Sequence, residues 1–167
     1  MNELNTARLR ILALNEENLR LLIDHPKKLE LQLSLMESVS YLDAELQQAM
    51  EIRHSKLVRD KENYIWYTNW LIVSKSQNCS VGGIMLKGLP NGFGEVVVGY
   101  YTLPEYQGKG YMTEAIYSMK NWLLSQPNVK FVVADTEKDN IASHRVLAKS
   151  GAVLYKETAE LLYWRFS

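Results

Sequence analysis

The strongest constraint on the fold is a strand, a glycine-rich turn and an amphipathic helix that follow one another in residues 95–123. Residues 95–101 are rich in β-branched and aromatic side chains and predict a strand, which Pro104 ends because proline cannot donate to a sheet. The turn holds Gly108 and Gly110. Beyond it, apolar residues recur at the spacing of one helix face: Met112, Ala115, Ile116, Met119, Trp122 and Leu123.

This turn has the chemistry of an anion-binding site. The first backbone N–H groups of a helix have no internal partner and carry the positive end of the helix dipole. Gly108 and Gly110 let the main chain approach a phosphate without an intervening Cβ, and Lys109 adds positive charge at the rim. An isolated G-x-G is usually a plain loop, but the preceding strand and the following helix favour an anion cradle here.

The motif around the turn identifies which phosphate group it suits. A Walker P-loop is excluded because Leu103 holds its first glycine position, and the dinucleotide fingerprint G-x-G-x-x-G is excluded because Thr113 replaces its third glycine. Residues 107–112 instead resemble the acetyl-CoA pyrophosphate loop of the GNAT acetyltransferases, Q/R-x-x-G-x-G/A, with Met112 in the last position. The flanking string P-E-Y-Q-G-K-G-Y-M-T-E-A resembles the ribosomal-protein N-acetyltransferase branch of that family.

A second stretch carries the same resemblance. Residues 140–151, N-I-A-S-H-R-V-L-A-K-S-G, are similar to the N-x-x-S-x-x-V/L-L-x-K-x-G of that branch, and residues 6–11 resemble its T-x-R-L-x-L start. By this resemblance, Asn140 would hold the pantetheine arm and Ser143 would reach the CoA sulfur. By the residues alone, Asn140 is an N-cap and Ser143 a solvated residue on the same helix face.

The other elements predict an α/β fold with a mixed, mostly antiparallel sheet and helices on both faces, in one domain of residues 1–167. Besides the central strand, strands are predicted at residues 9–13, 65–74, 81–89, 130–135, 153–156 and 161–166. Besides the central helix, helices are predicted at residues 16–23, 27–33, 43–59 and 140–150. This order of elements matches the GNAT fold along nearly the whole chain.

Composition narrows the classes of function. Nineteen basic and 19 acidic residues give zero net charge, which argues against a nucleic-acid-binding surface. The single cysteine, Cys79, excludes an internal disulfide and fits a reducing compartment. There is no apolar run of membrane-spanning length and no basic-then-apolar leader, so we expect a cytoplasmic protein that does not bind membranes. The three histidines lack metal-ligand spacing, so we expect no metal.

The resemblance implies an acetyl-CoA-dependent N-acetyltransferase. A thioester carbonyl that is attacked by an amine develops an oxyanion, which needs positioned donors. In this family a splayed pair of parallel strands opens a slot for pantetheine, whose arm would here be held by the backbone of Tyr101, Thr102 and Leu103. The turn residues that the resemblance implies in cofactor binding are Gln107, Gly108, Lys109, Gly110, Tyr111, Met112 and Thr113.

Two familiar catalytic side chains are missing. Many relatives place a tyrosine, as the acid, seven residues after the asparagine, where this chain has Leu147; Ser143 is the expected substitute. Relatives often have their base two residues before the Gly-Tyr pair of the central strand, where this chain has Val97. Glu95 shares the strand face of Val97 and is the candidate base, or else a solvated charge at the strand start. The alternatives on the next strand are Asp135 and Glu137.

The acceptor of the acetyl group stays open between two classes. A protein N-terminal α-amine, which titrates near roughly 8 against about 10 for lysine, suits both the branch and the missing glutamate. A small amine, such as a polyamine, an amino-sugar antibiotic or an amino acid, fits nearly as well. A catalytically inactive acyl-CoA-binding sensor is the alternative that Val97 and Leu147 keep open. The branch often forms dimers, so a homodimer is one option for assembly.

The aromatic residues of the predicted strand at 65–74 have two interpretations. Tyr64, Trp66 and Trp70 would share one face with Thr68. Core packing is the first interpretation, and the wall of an acceptor pocket is the second. The N-terminal helices, with Met36 and Met50, would lie where this family shapes its acceptor site.

Overall fold

Eight strands form one mixed sheet in the computed structural model, which describes residues 2–167. Their order across the sheet is β1-β2-β3-β4-β5-β6-β8-β7, and every neighbouring pair is antiparallel except β5 and β6. The bounds are β1 Glu3–Asn5, β2 Leu9–Ala13, β3 Asn69–Ser74, β4 Cys79–Leu86, β5 Glu95–Thr102, β6 Phe131–Glu137, β7 Val153–Glu157 and β8 Leu161–Phe166. The mixed, mostly antiparallel sheet that the sequence predicts is thereby confirmed.

Within residues 2–167, five α-helices cover the two faces of the sheet. They are α1 Glu16–Asp24, α2 Pro26–Gln32, α3 Ala44–Arg59, α4 Tyr111–Leu124 and α5 Ile141–Lys149. Asn15, Asp43 and Asn140 cap α1, α3 and α5, because each side chain accepts the N–H of the residue three positions later. None of the helices in residues 2–167 is both long enough and apolar enough to cross a lipid bilayer.

Alternation along the strands divides the core into two parts. On β3, Trp70 and Ile72 face the cluster beneath α4 and α5, whereas Leu71 and Val73 face the cluster beneath α1, α2 and α3. We call these the first and the second face of the sheet. Both faces of β3 are apolar because both are covered, so the predicted placement of helices on both faces is confirmed.

The predicted strand at residues 65–74 begins four residues too early. Residues 61–66 form a 3₁₀ segment, in which Tyr64 accepts the N–H groups of Tyr67 and Thr68, each at 3.0 Å. Strand propensity is overridden there because Trp66 packs on the Trp122 ring of α4, with 6.0 Å between centroids. Tyr64 and Trp66 therefore share no strand face with Trp70.

For Trp70 the structure favours the first interpretation, core packing. Trp70 is fully buried on the first face, and its ring centroid lies 5.1 Å from that of Trp122. Of the two methionines expected near the acceptor, Met50 on α3 is fully buried and Met36 is exposed. The sequence did not predict β1, whose three residues are too few to show a pattern.

Candidate active site

The central parallel strands separate part-way along their length. Residues 95–97 of β5 pair with residues 131–133 of β6. Beyond this point β5 pairs with β4 as far as Thr102, and β6 pairs with β8 as far as Glu137. A wedge-shaped slot therefore opens between the carboxyl-terminal halves of β5 and β6, with its narrow end at Val97 and Val133.

Hydrogen bonds to β4 show which backbone groups of β5 are already used. The Val97 carbonyl accepts the N–H of Lys87 at 2.9 Å, and the Leu103 N–H donates to the Val81 carbonyl at 2.9 Å. In an antiparallel pair the hydrogen-bonded residues alternate with those that face away. The odd-numbered residues of β5 therefore direct their backbone groups at β4.

The even-numbered residues of β5 direct their backbone groups into the slot. Beyond the pairing with β6 these residues are Tyr100 and Thr102, whereas the N–H of Val98 belongs to the last link with β6 and only its carbonyl faces the slot. Of the three residues that the sequence suggested for the pantetheine arm, Thr102 faces the slot, whereas Tyr101 and Leu103 turn their N–H groups to β4. The slot thus presents a strand edge with the spacing of a sheet, ready to bind an extended amide-bearing chain.

The glycine-rich turn leads from the end of β5 to the start of α4. Gly108 and Gly110 have φ angles of 75° and 77°, in the left-handed region that favours glycine. Gly110 is the N-cap, and no side chain caps the helix. Among residues 2–167, no acceptor takes the backbone N–H groups of Tyr111, Met112 and Thr113. Three unused donors at the positive end of the helix dipole are an arrangement that can bind an anion, and we refer to it as the cradle.

Side chains next to the turn connect it to the strands that precede it. Gln107 donates its side-chain amide to the Thr102 carbonyl at 3.2 Å, which joins the turn to the end of the slot. The ammonium group of Lys109 is exposed and lies 5.5 Å from the centroid of the Tyr106 ring. The Tyr106 hydroxyl lies 3.0 Å from the buried sulfur of Cys79. The positive charge of Lys109 thus stays exposed next to the turn.

Arg8 ties the turn to the start of β2. Its guanidinium donates to the Lys109 carbonyl at 3.0 Å and to the Glu114 carboxylate at 2.6 Å, and it lies 4.6 Å from the centroid of the Tyr111 ring. The peptide between Lys109 and Gly110 is planar. Because its carbonyl points at Arg8, its N–H points away from Arg8. Arg8 thus sets the orientation of a peptide in the middle of the turn.

Glu114 is the other half of this clamp. It accepts the Thr6 hydroxyl at 2.6 Å and the Arg8 backbone N–H at 2.9 Å, besides the guanidinium. Partial burial acts against its charge, but the bonds from Thr6 and Arg8 together outweigh burial and hold the pKa of Glu114 below its ordinary value. The sequence analysis missed both partners, although their signal lay in the T-x-R start and the T-E-A string.

The start of α5 lies close to the slot strand. The Asn140 side-chain oxygen accepts the Ser143 N–H at 3.2 Å, so Asn140 is the N-cap, and among residues 2–167 no acceptor takes the N–H groups of its side-chain amide. Ser143 is half-buried, and its carbonyl accepts the hydroxyl of Tyr100 at 3.3 Å. Tyr100, which the sequence analysis did not single out, therefore links β5 to α5. Burial raises the pKa of Tyr100 to about 12.

Two of the three candidate bases, Glu95 and Asp135, lie in the neighbourhood of the Tyr155 hydroxyl. Glu95 accepts the Asn91 side-chain amide at 3.0 Å and pairs with Phe131 at the closed end of the slot. Burial raises the pKa of Tyr155 on β7, and the negative charges of Glu95 and, more weakly, Asp135 raise it further. Both carboxylates thus lie in the region around the Tyr155 hydroxyl, Glu95 at the closed end of the β5–β6 pairing and Asp135 two residues beyond Val133.

Glu137 lies further along β6, at its exposed end. Its carbonyl lies 3.0 Å from a ring nitrogen of His144, whose ring centroid is 5.7 Å from that of Trp164. This places Glu137 beyond the region shared by Glu95 and Asp135. In the part of the chain that the structure describes, no three His, Cys, Asp or Glu side chains are grouped so as to hold a metal ion.

A buried carboxylate lies on the second face, behind Tyr101 and Leu103. Glu30 is 6% exposed and accepts the Ser38 N–H at 3.0 Å. Beside it, burial and the charge of Glu30 raise the pKa of Tyr41 to about 12. The adjoining cavity of about 20 Å³ has the size of one water molecule and is too small for an acceptor. We therefore interpret Glu30 as a structural residue that fixes the loop after α2 through its bond with Ser38.

A larger and open groove runs beside the turn. Its volume is about 490 Å³, and it extends from Gly110 along α4 towards Lys149 of α5. Thr113, the last of the cradle donors, lines this groove as well. The groove thus adjoins the anion cradle at Gly110 and Thr113.

Comparisons with known proteins agree with this geometry. The family "Acetyltransferase (GNAT) domain" matches residues 8–153. The uncharacterized N-acetyltransferase YjdG of Bacillus subtilis is 35% identical over 98 residues, which are 59% of this chain and 58% of that protein. The chain thus spans less than two thirds of that relative's length.

Solved structures share the fold at low sequence identity. The ribosomal-protein-S5-alanine acetyltransferase of Vibrio fischeri is 17% identical, with a TM-score of 0.71 over 99% of this chain and 96% of that one. The ribosomal L7/L12 α-N-protein acetyltransferase RimL, solved with coenzyme A, is 14% identical, with a TM-score of 0.71 over 99% of this chain and 97% of that one. Because the family match extends over most of the residues and includes the slot and the turn, the chain belongs to the GNAT acetyltransferase family.

Proposed function

We propose that this protein transfers the acetyl group of acetyl-CoA to a primary amine. The observation that carries the proposal is the continuity of the slot and the cradle. A strand edge without a β6 partner, at Tyr100 and Thr102, leads directly to three unused N–H groups at the start of α4. An amide-bearing arm that ends in a pyrophosphate has complementary groups in the same order.

The cofactor residues have distinct parts in this proposal. Thr102 offers its backbone N–H to the arm, flanked by Tyr101 and Leu103, and the side-chain amide of Asn140 donates from the other side of the slot. Gln107 holds the turn against Thr102. The pyrophosphate is bound by the turn and the first helical residues, which are Gly108, Lys109, Gly110, Tyr111, Met112 and Thr113. The open groove beyond Thr113 has room for the nucleotide.

The chemistry follows from the orientation of these groups. The amine attacks the thioester carbonyl, and an N–H of β5 that points into the slot stabilises the developing oxyanion. Glu95 takes the proton of the amine, directly or through water, and Asp135 is the alternative base in the same region. Ser143 lies at the start of α5, where it contacts the sulfur.

We propose a protein N-terminal α-amine as the first acceptor class and a small-molecule amine as the second. Solved structures of this fold include the enzyme described as a ribosomal L7/L12 α-N-protein acetyltransferase. An α-amine also needs less help from a base, because its pKa of roughly 8 lies closer to neutrality than that of lysine. Support for the small amine comes from the exposed surroundings of Asp135 at the slot.

A catalytically inactive acyl-CoA sensor is the second candidate function. It is favoured by one observation: Leu147, which stands where many relatives carry a tyrosine, is fully buried in the apolar core. A sensor would bind acetyl-CoA through the same slot and cradle but would not release the thiol.

Calorimetric titration with acetyl-CoA, followed by a free-thiol assay, tests both candidates. We expect binding, and thiol release with either N-terminal peptides or a pool of small amines, and the active pool names the acceptor class. Binding without release from any pool would favour the sensor. A protein that does not bind acetyl-CoA would contradict both candidates.

A further inference from the structure

The departing sulfur needs a hydrogen-bond donor. Helix α5 has no tyrosine to provide one, because Leu147 stands where many relatives carry that residue. When an amine displaces CoA, the sulfur takes the electron pair of the broken C–S bond, and a positioned donor stabilises that charge. Leu147 is fully buried and apolar. Ser143 offers an aliphatic hydroxyl, which is a weaker donor than a phenol. A donor from another element would therefore matter for the proposed reaction.

Tyr100 brings a phenol to the start of α5 from the slot strand. Its even position on β5 puts its side chain on the first face, with Val96 and Val98, and it packs against the core beneath α4 and α5. Its backbone belongs to the part of β5 that has no β6 partner. Its hydroxyl reaches the Ser143 carbonyl. The phenol therefore lies between the slot and the residue expected to contact the sulfur.

The present partner of this hydroxyl is one that a ligand can replace. The bond to the Ser143 carbonyl is 3.3 Å long, whereas O–H···O bonds are usually about 2.7–2.8 Å. A thiolate is a charged acceptor and binds a donor more strongly than a neutral carbonyl does. His144, the next residue on the helix, is already engaged with the Glu137 carbonyl at 3.0 Å.

We infer that the Tyr100 hydroxyl donates a hydrogen bond to the sulfur of the departing CoA, in place of the tyrosine that many relatives carry on the helix. This inference rests on the proposed function and names a catalytic residue for it. The C–N bond forms as the C–S bond breaks, the base takes the proton of the amine, and the sulfur leaves as a thiolate held by Tyr100. Solvent protonates the thiolate as CoA departs.

The phenol stabilises the thiolate without giving up its own proton. Burial raises the pKa of Tyr100 to about 12, whereas a thiol has a pKa of roughly 8.5. Transfer of the proton from the phenol to the thiolate is therefore uphill, and a charge-assisted hydrogen bond is the favoured arrangement. Tyr100 acts as an electrostatic donor, so its effect does not require a titration of its own hydroxyl near neutral pH.

The first test uses free CoA as the probe and needs no turnover. The thiol of bound CoA is titrated through the ultraviolet absorbance of its thiolate, in complexes with the unchanged protein and with Tyr100→Phe. We expect the thiol pKa to be about one to two units higher in the Tyr100→Phe complex, which is the size of one charge-assisted hydrogen bond. Equal values in the two complexes would overturn the inference.

The second test is kinetic. We expect Tyr100→Phe to lower kcat about 10- to 100-fold while KM for acetyl-CoA changes less than about threefold. Incorporation of 3-fluorotyrosine at position 100, whose hydroxyl is a stronger donor, should keep or raise kcat. If Tyr100 served only to pack, the greater acidity of the fluorinated phenol would not affect kcat. A kcat that is unaffected by Tyr100→Phe would contradict the inference.

Tyr67→Phe is the matched control for both tests. Tyr67 is also half-buried with one hydroxyl bond, to Asp60 at 3.4 Å, but it packs on the second face. We expect it to leave the thiol pKa and kcat unchanged. If the unchanged protein binds CoA but releases no thiol with any amine, the proposed transferase fails, and the thiol titration still decides whether Tyr100 binds the sulfur.

Discussion

Arg8 binds Glu114 through both its backbone N–H, at 2.9 Å, and its guanidinium, at 2.6 Å, although 106 residues separate them in the sequence. The same guanidinium holds the Lys109 carbonyl at 3.0 Å. The pair therefore connects β2, the glycine-rich turn and the first turn of α4. A binding turn that is held in place before its ligand arrives loses less conformational entropy when the ligand binds.

Loss of Arg8 should weaken the cradle without removing any of its donors. We expect Arg8→Ala to lower the affinity for acetyl-CoA about tenfold, because the Lys109 peptide loses the bond that orients it. Arg10→Ala is the control, since Arg10 pairs with Glu3 at 3.0 Å and not with the turn. Calorimetry on both variants checks the prediction, and equal affinities would contradict the role of Arg8.

Glu114 should make stability depend on pH on the acid side. Its folded-state pKa is depressed, so its stabilising effect is present above its unfolded pKa of roughly 4.3 and is lost as the pH falls through the folded value. We expect Glu114→Gln to lower Tm most near neutral pH, with the difference from the unchanged protein shrinking below about pH 4.

Thermal unfolding followed by circular dichroism over this pH range measures the effect. Glu45→Gln is the control, because Glu45 also lies in the first turn of a helix but, within residues 2–167, makes no ion pair. A difference in Tm that stays constant from neutral to acid pH would show that the Glu114 charge does not contribute.

A carboxylate in the turn should abolish cofactor binding. Gly110 has φ 77°, and a Cβ there would lie 3.3 Å from a guanidinium nitrogen of Arg8, so Gly110→Asp adds strain, bulk and negative charge beside the cradle. We expect affinity for acetyl-CoA to fall at least about 100-fold. In Gly92→Asp the new Cβ meets no atom within 4 Å, and affinity should persist. Retained affinity in Gly110→Asp would refute the cradle.

The candidate base can be tested by removing its charge. We expect Glu95→Gln to lower kcat about tenfold or more and to shift the acid limb of its pH profile, because general bases contribute on the order of 10²–10⁴-fold. The exposed Glu160→Gln in the terminal hairpin turn serves as the control. An unaltered profile would remove Glu95 from this role, and Asp135→Asn would then be the variant to measure.

Strands β4 and β5 lie so close together at Gly82 that we expect no room for a side chain there. A Cβ on Gly82 would lie 2.3 Å from the Tyr101 carbonyl, so Gly82→Ala must displace the slot strand. We expect a loss of about 1–3 kcal/mol, which lowers Tm by roughly 3–10 °C in a chain of this size, together with weaker binding of acetyl-CoA. Gly99→Ala should be mild, since its nearest neighbours are the flexible ends of Lys87 and Met85, at 3.5 and 3.6 Å. Equal stability of the two variants would contradict this account.

Local patterns predicted most elements because they depend on neighbours within a few residues. The helices predicted to start at residues 16, 43 and 140 begin at Glu16, Ala44 and Ile141, within one residue of the prediction, and β5 ends shortly before Pro104. The same local reasoning was wrong for residues 65–68, whose strand propensity is real but whose backbone follows the packing of Trp66 against Trp122. Propensity loses there because a distant partner buries the side chain.

The sequence by itself determined the family and most of the helices and strands in their order along the chain, since these follow from contiguous motifs and from periodicity. Only the tertiary structure decided which side chains meet at the site. The contacts of Arg8 with Glu114 and of Tyr100 with Ser143 span 106 and 43 residues. Such contacts depend on how the sheet and helices pack, and no local pattern encodes that packing. Which residues of β5 turn their backbone groups to the slot, and which turn them to β4, likewise follows from the register of β4 against β5.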